Sequence, residues 1–202
     1  METSNRVLDS VLKDLAIPHI EERLSRDFFY QLGLRFPQQY GIACRDVAAC
    51  VKRAEAHGAG PFLHAQIPAP NWIERGKHVK GCQLEVGLGY AGDVQVEFLG
   101  RGRGTEHYSQ ALVDTDIAFH HVGIYQNAMP EVAPQLEHRG FGEVVRGGLQ
   151  LGRTLSIDFR YFDARKAHGL YLEILDFRVL GRELDFSPLI RAYSGLMGRI
   201  RR

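Results

Sequence analysis

The sequence is poor in several features that would settle its class at once. It holds only three cysteines, Cys44, Cys50 and Cys82. None forms a CxxC pair, and an odd number cannot close into a disulfide framework, so a stapled scaffold is excluded and a reducing compartment is expected. Cys44 and Cys50 fall in apolar stretches and read as small core residues. No apolar run approaches the roughly 18 residues of a membrane span. The opening METSNRVLDSVLKDL lacks the basic and apolar regions of a signal peptide. A cytoplasmic protein with no membrane partner is the expectation. An excess of either charge is missing too: 25 Lys and Arg stand against 24 Asp and Glu, a formal net charge of +1. No global field would draw the chain to nucleic acid or another polyanion. Its nine histidines show neither H-x-x-x-H nor H-E-x-x-H spacing. His57, His64, His78, His107, His138 and His168 therefore read as surface or loop residues.

What is present is a globular composition, 45% hydrophobic and 24% charged over 202 residues, enough to bury a real core. Val7, Leu8, Val11, Leu12 and Leu15 recur at helical spacing behind the possible caps Ser4 and Asn5, and Pro18 ends or kinks that helix. A second short helix is expected over Ile20 to Leu32. From Gln38 the pattern changes. QYGIAC reads as a strand, Asp46 as an N-cap, and VAACVKRAEAHGAG as a helix closed by glycine. Three strands follow: GPFLHAQIP, then, beyond a loop with Trp72, HVKGCQLEVGLGY and DVQVEFLG. The first half is thus βαβββ.

The second half repeats it. Gln39-Tyr-Gly-Ile-Ala matches His121-Val-Gly-Ile-Tyr, and His57-Gly-Ala-Gly-Pro-Phe matches Arg139-Gly-Phe-Gly-Glu-Val, both at an offset of 82 residues. Gly92-Asp-Val-Gln-Val-Glu97 then matches Gly169-Leu-Tyr-Leu-Glu173 with the glutamates offset by 76. The boundaries read as an N-terminal helical arm over 1–36, a first module over 37–100, a linker over 101–117, a second module over 118–180, and a C-terminal amphipathic helix over 181–202. That last helix carries Leu189, Ile190, Tyr193, Leu196, Met197 and Ile200 on one face. The Gly- and Arg-rich stretch with Arg101 and Arg103 reads as a solvated linker, or as an arginine clamp on an acidic substrate group.

A polar residue two before a glycine on the first strand, a helix ending in Gly-x-Gly, and a fourth strand ending in hydrophobic-Glu-hydrophobic together resemble the vicinal oxygen chelate superfamily. Glyoxalase I, methylmalonyl-CoA epimerase and the extradiol dioxygenases belong to it. The resemblance covers about residues 38–178 and is nearest to the glyoxalase I and epimerase-like branch. It implies an α+β fold in which tandem βαβββ modules form a cupped mixed sheet, here with extra helices at both termini. It also implies a divalent ion held by the first and last strands of each module, at Gln39, Glu97, His121 and Glu173. Zn is the first expectation, with Ni, Co, Mn or Fe as alternatives.

The residues agree with this. Val96 and Phe98 flank Glu97, and Leu172 and Ile174 flank Glu173, so alternation turns each carboxylate away from its apolar neighbours. A buried carboxylate must be paired, protonated or bound to metal. The other account of the repeated glutamates is a salt bridge to Arg or Lys inside the cup. His120 should face the opposite side of its strand from His121. The function expected is a metal-dependent isomerase or lyase that transfers a proton next to a chelated carbonyl of a small oxygenated or thioester substrate, with Glu173, then Glu97, as the base. Two alternatives stand beside it. One is an extradiol-type dioxygenase, which needs two histidines and a carboxylate on iron. The other is a non-catalytic binder of the bleomycin-resistance type, its cup lined by Trp72, Phe98, Phe119, Tyr125, Phe159 and Tyr161. A homodimer is expected, and whether the four ligands come from one chain or two is open at this point.

Overall fold

The computed structural model describes residues 2–126, 129–151, 155–179 and 182–183. The C-terminal helix expected over 181–202 lies outside these, apart from a two-residue strand. The arm is helical: α1 (Glu2–Asp14), a 3-10 turn (Ile20–Glu22) and α2 (Arg26–Gln31). Ser4 and Asn5 fall inside α1 rather than before it. Its Leu8, Val11, Leu12 and Leu15 are buried, the i, i+3, i+4, i+7 stripe of a helix packed on a core.

The first module runs β1 (Gln39–Cys44), α3 (Val47–Ala56), β2 (Leu63–Pro68), β3 (Ile73–Glu74), β4 (Lys77–His78), β5 (Gln83–Ala91) and β6 (Val94–Leu99). Asp46 caps α3 by accepting a hydrogen bond from the Ala49 N–H at 2.8 Å. A 3-10 turn (Ser109–Leu112) lies in the linker. The second module runs β7 (Ile117–Tyr125), α4 (Met129–His138), β8 (Glu143–Leu151), β9 (Leu155–Asp163), the single turn α5 (Arg165–His168), β10 (Tyr171–Val179) and the short β11 (Arg182–Glu183). Helices α3 and α4 keep the 82-residue offset at both ends.

Among the described residues, all eleven strands join one sheet in the order β2-β5-β6-β1-β7-β10-β9-β8-β3-β4, with β11 on β10. The modules meet through their first strands, since β1 pairs antiparallel with β7, while β6 and β10 each run parallel to the first strand of their own module. This is the expected duplicated architecture. One face is covered by α1 to α4, whose side chains join Tyr40, Ile42, Val96, Phe98, Val122, Leu172 and Ile174 in one cluster. The other face curls into a cup, because Leu84, Val86 and Leu99 of the first module share a cluster with Ile157, Phe159, Leu175 and Phe177 of the second.

Two segments depart from expectation. The strand read as starting at His78 starts at Gln83, and residues 73–78 form a separate hairpin that crosses the molecule to pair with β8. Trp72 anchors this crossing; it is fully buried, with its ring 5.6 Å from that of Phe159. The linker is not solvated throughout, since Thr105, His107, Tyr108 and Leu112 are buried. Trp72→Ala removes a large side chain at the joint between the modules. It should cost about 3–5 kcal/mol, read as a lower urea midpoint by circular dichroism.

Candidate metal centre

The registers place two rows of side chains across the centre of the sheet. Across β6, β1, β7 and β10, one row reads Glu97, Gly41, His121, Tyr171 and the next reads Gln95, Gln39, Gly123, Glu173. Directly opposite residues in paired strands approach closely, and here each of the two central pairs sets a large polar side chain against a glycine. A Cβ built on Gly41 would fall inside the His121 imidazole, and one on Gly123 would meet the carboxamide of Gln39. The polar-x-Gly motif of each module is therefore the space in which the other module's polar residue lies.

Glu97, His121 and Glu173 converge. Their donor atoms all lie within 4.8 Å of one another, with Nε2 of His121 3.0 Å from Oε2 of Glu173 and 3.4 Å from Oε2 of Glu97. All three belong to one chain. Gln39 lines the same cavity as the two glutamates and is itself buried. Its Nε2 donates to Oε1 of Gln95 at 2.9 Å, and that oxygen also accepts from the Tyr125 hydroxyl. The amide is thereby oriented, leaving its Oε1 without a partner. Oε1 of Gln39, Nε2 of His121 and Oε2 of Glu173 are buried with no hydrogen bond. The last two face one another at 3.0 Å as an ion pair without hydrogen-bond geometry, and Oε1 of Gln39 has no partner at all. So many unsatisfied polar atoms in one small space are anomalous in a folded protein, and a divalent cation would satisfy them together. The donor set of two carboxylates, an imidazole and an amide oxygen fits such an ion.

The outer shell was not legible as such. The pairing of β1 with β7 slips by one residue between Gly41, opposite His121, and Ile42, opposite Phe119. His120 sits in that bulge, so its ring does not face the opposite side of the strand. It lies on the cup side with Nδ1 3.1 Å from Nδ1 of His121. Its Nε2 is 3.3 Å from the carbonyl of His107, which can only accept, so Nε2 carries the proton. Burial, then the neighbouring His107 and His121, pushes the His120 pKa well down and keeps it neutral. Its Nδ1 is then an acceptor for the Nδ1–H of His121, which fixes the tautomer that turns the other His121 nitrogen toward the carboxylates. Burial alone would lower the His121 pKa. The Glu173 and Glu97 carboxylates outweigh it and hold the group up at about 9, so Nε2 carries a proton that a metal would displace. Burial raises the Glu97 pKa, with His121 opposing and Glu173 adding to the shift.

Two tyrosines complete the floor. The Tyr161 and Tyr108 hydroxyls are 3.2 Å apart, both residues line the cavity, and burial followed by the nearby carboxylates raises both pKa values well above normal. They are neutral phenols. Phe159, Tyr161 and Tyr125 line the cup as expected, and Trp72 lies in the cup-side cluster. Phe98 and Phe119 instead belong to the helix-covered core. Among the described residues, no Arg or Lys lines the cavity to form the salt bridge considered as the alternative.

The sequence matches no family profile and no curated protein. Among solved structures, methylmalonyl-CoA epimerase from Mycobacterium tuberculosis superposes with a TM-score of 0.50 at 12% identity, over 70% of this chain and 87% of that one. A hypothetical protein from Bacillus halodurans does so with 0.50 at 12% identity, over 69% and 92%. The chain has the vicinal oxygen chelate fold. A 4-hydroxymandelate synthase variant from Streptomyces coelicolor also aligns, with a TM-score of 0.49 at 10% identity over 84% of this chain and 55% of that one. Likeness at this identity speaks to the fold alone. No described helix is long and apolar enough to cross a membrane.

Two outcomes are expected from this geometry. Gly41→Ala should displace His121, abolish most metal uptake by elemental analysis, and cost about 1–3 kcal/mol in urea unfolding. His107, expected on a loop, is buried; burial, followed by the charge of His121, pushes its pKa down from 6.5 to about 3. The unfolded chain therefore takes this proton first. Stability from this group is whole above about pH 6.5 and declines as the pH falls toward 3. His107→Gln should flatten the pH dependence of the urea midpoint between 6 and 4 by one proton, about 1.4 kcal/mol per pH unit.

Proposed function

We propose that Gln39, Glu97, His121 and Glu173 hold one divalent ion, and that the chain is a metal-dependent isomerase or lyase that moves a proton beside a chelated carbonyl. The observation that carries this reading is the trio of buried donors without a hydrogen bond that converge on the cavity floor, Oε1 of Gln39, Nε2 of His121 and Oε2 of Glu173. Bound there, the ion would supply Lewis acidity to two adjacent substrate oxygens and stabilise negative charge that develops on them.

The chain's own groups then divide the work. A base must reach the carbon next to that carbonyl, and both glutamates line the cavity. Glu97 is the more open, its side chain 16% exposed against 5% for Glu173, and it stands farther from His121. More open and farther from the imidazole, it is better placed than Glu173 to take the proton and return it. Glu173, closer to the imidazole and opposite Tyr161, is held more firmly. The phenols of Tyr161 and Tyr108 can donate hydrogen bonds to an oxygen that gains charge as the proton leaves. An iron site with two histidine ligands is disfavoured by His120, whose two nitrogens face His121 and the His107 carbonyl.

The test is elemental analysis of the chain beside a Glu97→Ala, Glu173→Ala double variant, both prepared without chelators. About one divalent ion per chain is expected in the parent and none in the variant. A parent that takes up no Zn, Ni, Co, Mn or Fe(II) would overturn the reading and leave a metal-free binding protein.

A further inference from the structure

The cavity above the four residues separates its polarity sharply. Its floor is polar, with Gln39, Gln95, Glu97, Glu173, Tyr108 and Tyr161, whereas the walls are aliphatic and phenyl groups from both modules, such as Leu84, Val86 and Leu88 facing Ile157, Phe159 and Phe177. Among the described residues, no Arg or Lys lines it, and the basic side chain at its floor is the proposed ligand His121, between the two glutamates. The cations nearest in sequence point elsewhere. Arg146, Arg160 and Arg178 of β8, β9 and β10 alternate onto the far face and line a different depression with Asp158 and Asp176. Arg160 pairs there with Glu143 and Arg178 with Asp176. Arg101 and Arg103, the arginine clamp considered from sequence, are exposed and contribute nothing to the cavity.

Resting on the metal-site reading above, we propose that the molecule accepted here is uncharged and largely apolar, with two adjacent oxygens at one end only. An anionic group along the walls would lose its hydration and gain no counter-charge. At the floor, two carboxylates already balance one divalent ion. A chain of phosphates, as in a coenzyme A thioester, finds no cationic partner along the walls among the described residues, so the oxygenated class is selected over the thioester class. The size follows from the volume. A cavity of about 380 Å³ is roughly two and a half times one that takes up a benzene. It suits one ring bearing a short hydrocarbon chain, or two fused rings. Leu63, 43% exposed, lies at the apolar mouth.

The test is calorimetric titration of the zinc-loaded chain with catechol, the 4-methyl, 4-ethyl, 4-propyl and 4-butyl catechols, the matching alkylbenzenes, 3,4-dihydroxybenzoate and acetyl-coenzyme A. Affinity should rise about fourfold with each added methylene until the walls are filled. 3,4-Dihydroxybenzoate should bind at least about tenfold more weakly than 4-ethylcatechol, and acetyl-coenzyme A should not bind. Leu149→Arg, on the wall and away from the floor, should keep its zinc and reverse the order of the carboxylate and the ethyl compound. Retained zinc with equal affinity along the alkyl series, or tighter binding of the carboxylate or the thioester by the parent, would overturn the inference and leave the metal site standing. Alkylbenzenes binding as tightly as alkylcatechols, or zinc not retained, would overturn it together with the metal-site reading.

Discussion

The antiparallel pairing of β1 with β7 is the constraint on which the rest of the structure depends. It joins the two modules, and it sets Gln39 opposite Gly123 and Gly41 opposite His121. Four large polar side chains on one patch of sheet would collide. Two glycines between them make the patch deep enough to hold donors around a common point. The register is held from the other face, where Tyr40, Ile42, Val122 and Ile124 are buried under the helices. A slip of one residue would turn those apolar groups into the cup and drive Gln39 and His121 into the core. Packing on one face therefore fixes the chemistry on the other.

Electrostatics then select what can occupy that point. Two carboxylates beside one imidazolium leave a deficit of positive charge in a buried place, and the shell around them offers none. His107 and His120 are held neutral by burial, and Tyr108 and Tyr161 keep their protons. A divalent ion that replaces the proton on His121 brings the set to neutrality and gives each orphaned donor a partner. The same neutral shell orients the ligands, since the His107 carbonyl dictates the tautomer of His120 and, through it, that of His121.

Much of this was legible in the sequence because it is carried by periodicity. The duplication at a constant offset predicts two copies of one module, and alternation around Glu97 and Glu173 puts both carboxylates on the concave face. The polar-x-Gly motif marks the central strands. What was not legible is non-local. The bulge that turns His120 inward depends on the pairing of Gly41 and Ile42 with a strand about eighty residues away. His107 and Tyr108 sit in a stretch whose glycines and charges read as solvated, yet the cup closes over them. The hairpin at residues 73–78 has no period long enough to show that it crosses to the other module. A histidine followed by tyrosine in a linker, facing an aromatic-rich strand, was the one signal that could have drawn attention to that shell.

The division between floor and walls follows from the topology. Every proposed ligand comes from the four innermost strands, β6, β1, β7 and β10, which are paired on both sides and whose far faces are packed by helices. Most of the apolar wall comes from β2, β5, β8 and β9, farther out in the sheet. Only Leu88 and Tyr161 of those outer strands sit directly opposite a ligand residue, Glu97 and Glu173 respectively. The remaining wall positions can change size or polarity without moving a donor atom. A fold built this way holds its donor geometry by the register of four strands and sets the shape of the cavity by the others, so the walls can vary around one fixed set of donors.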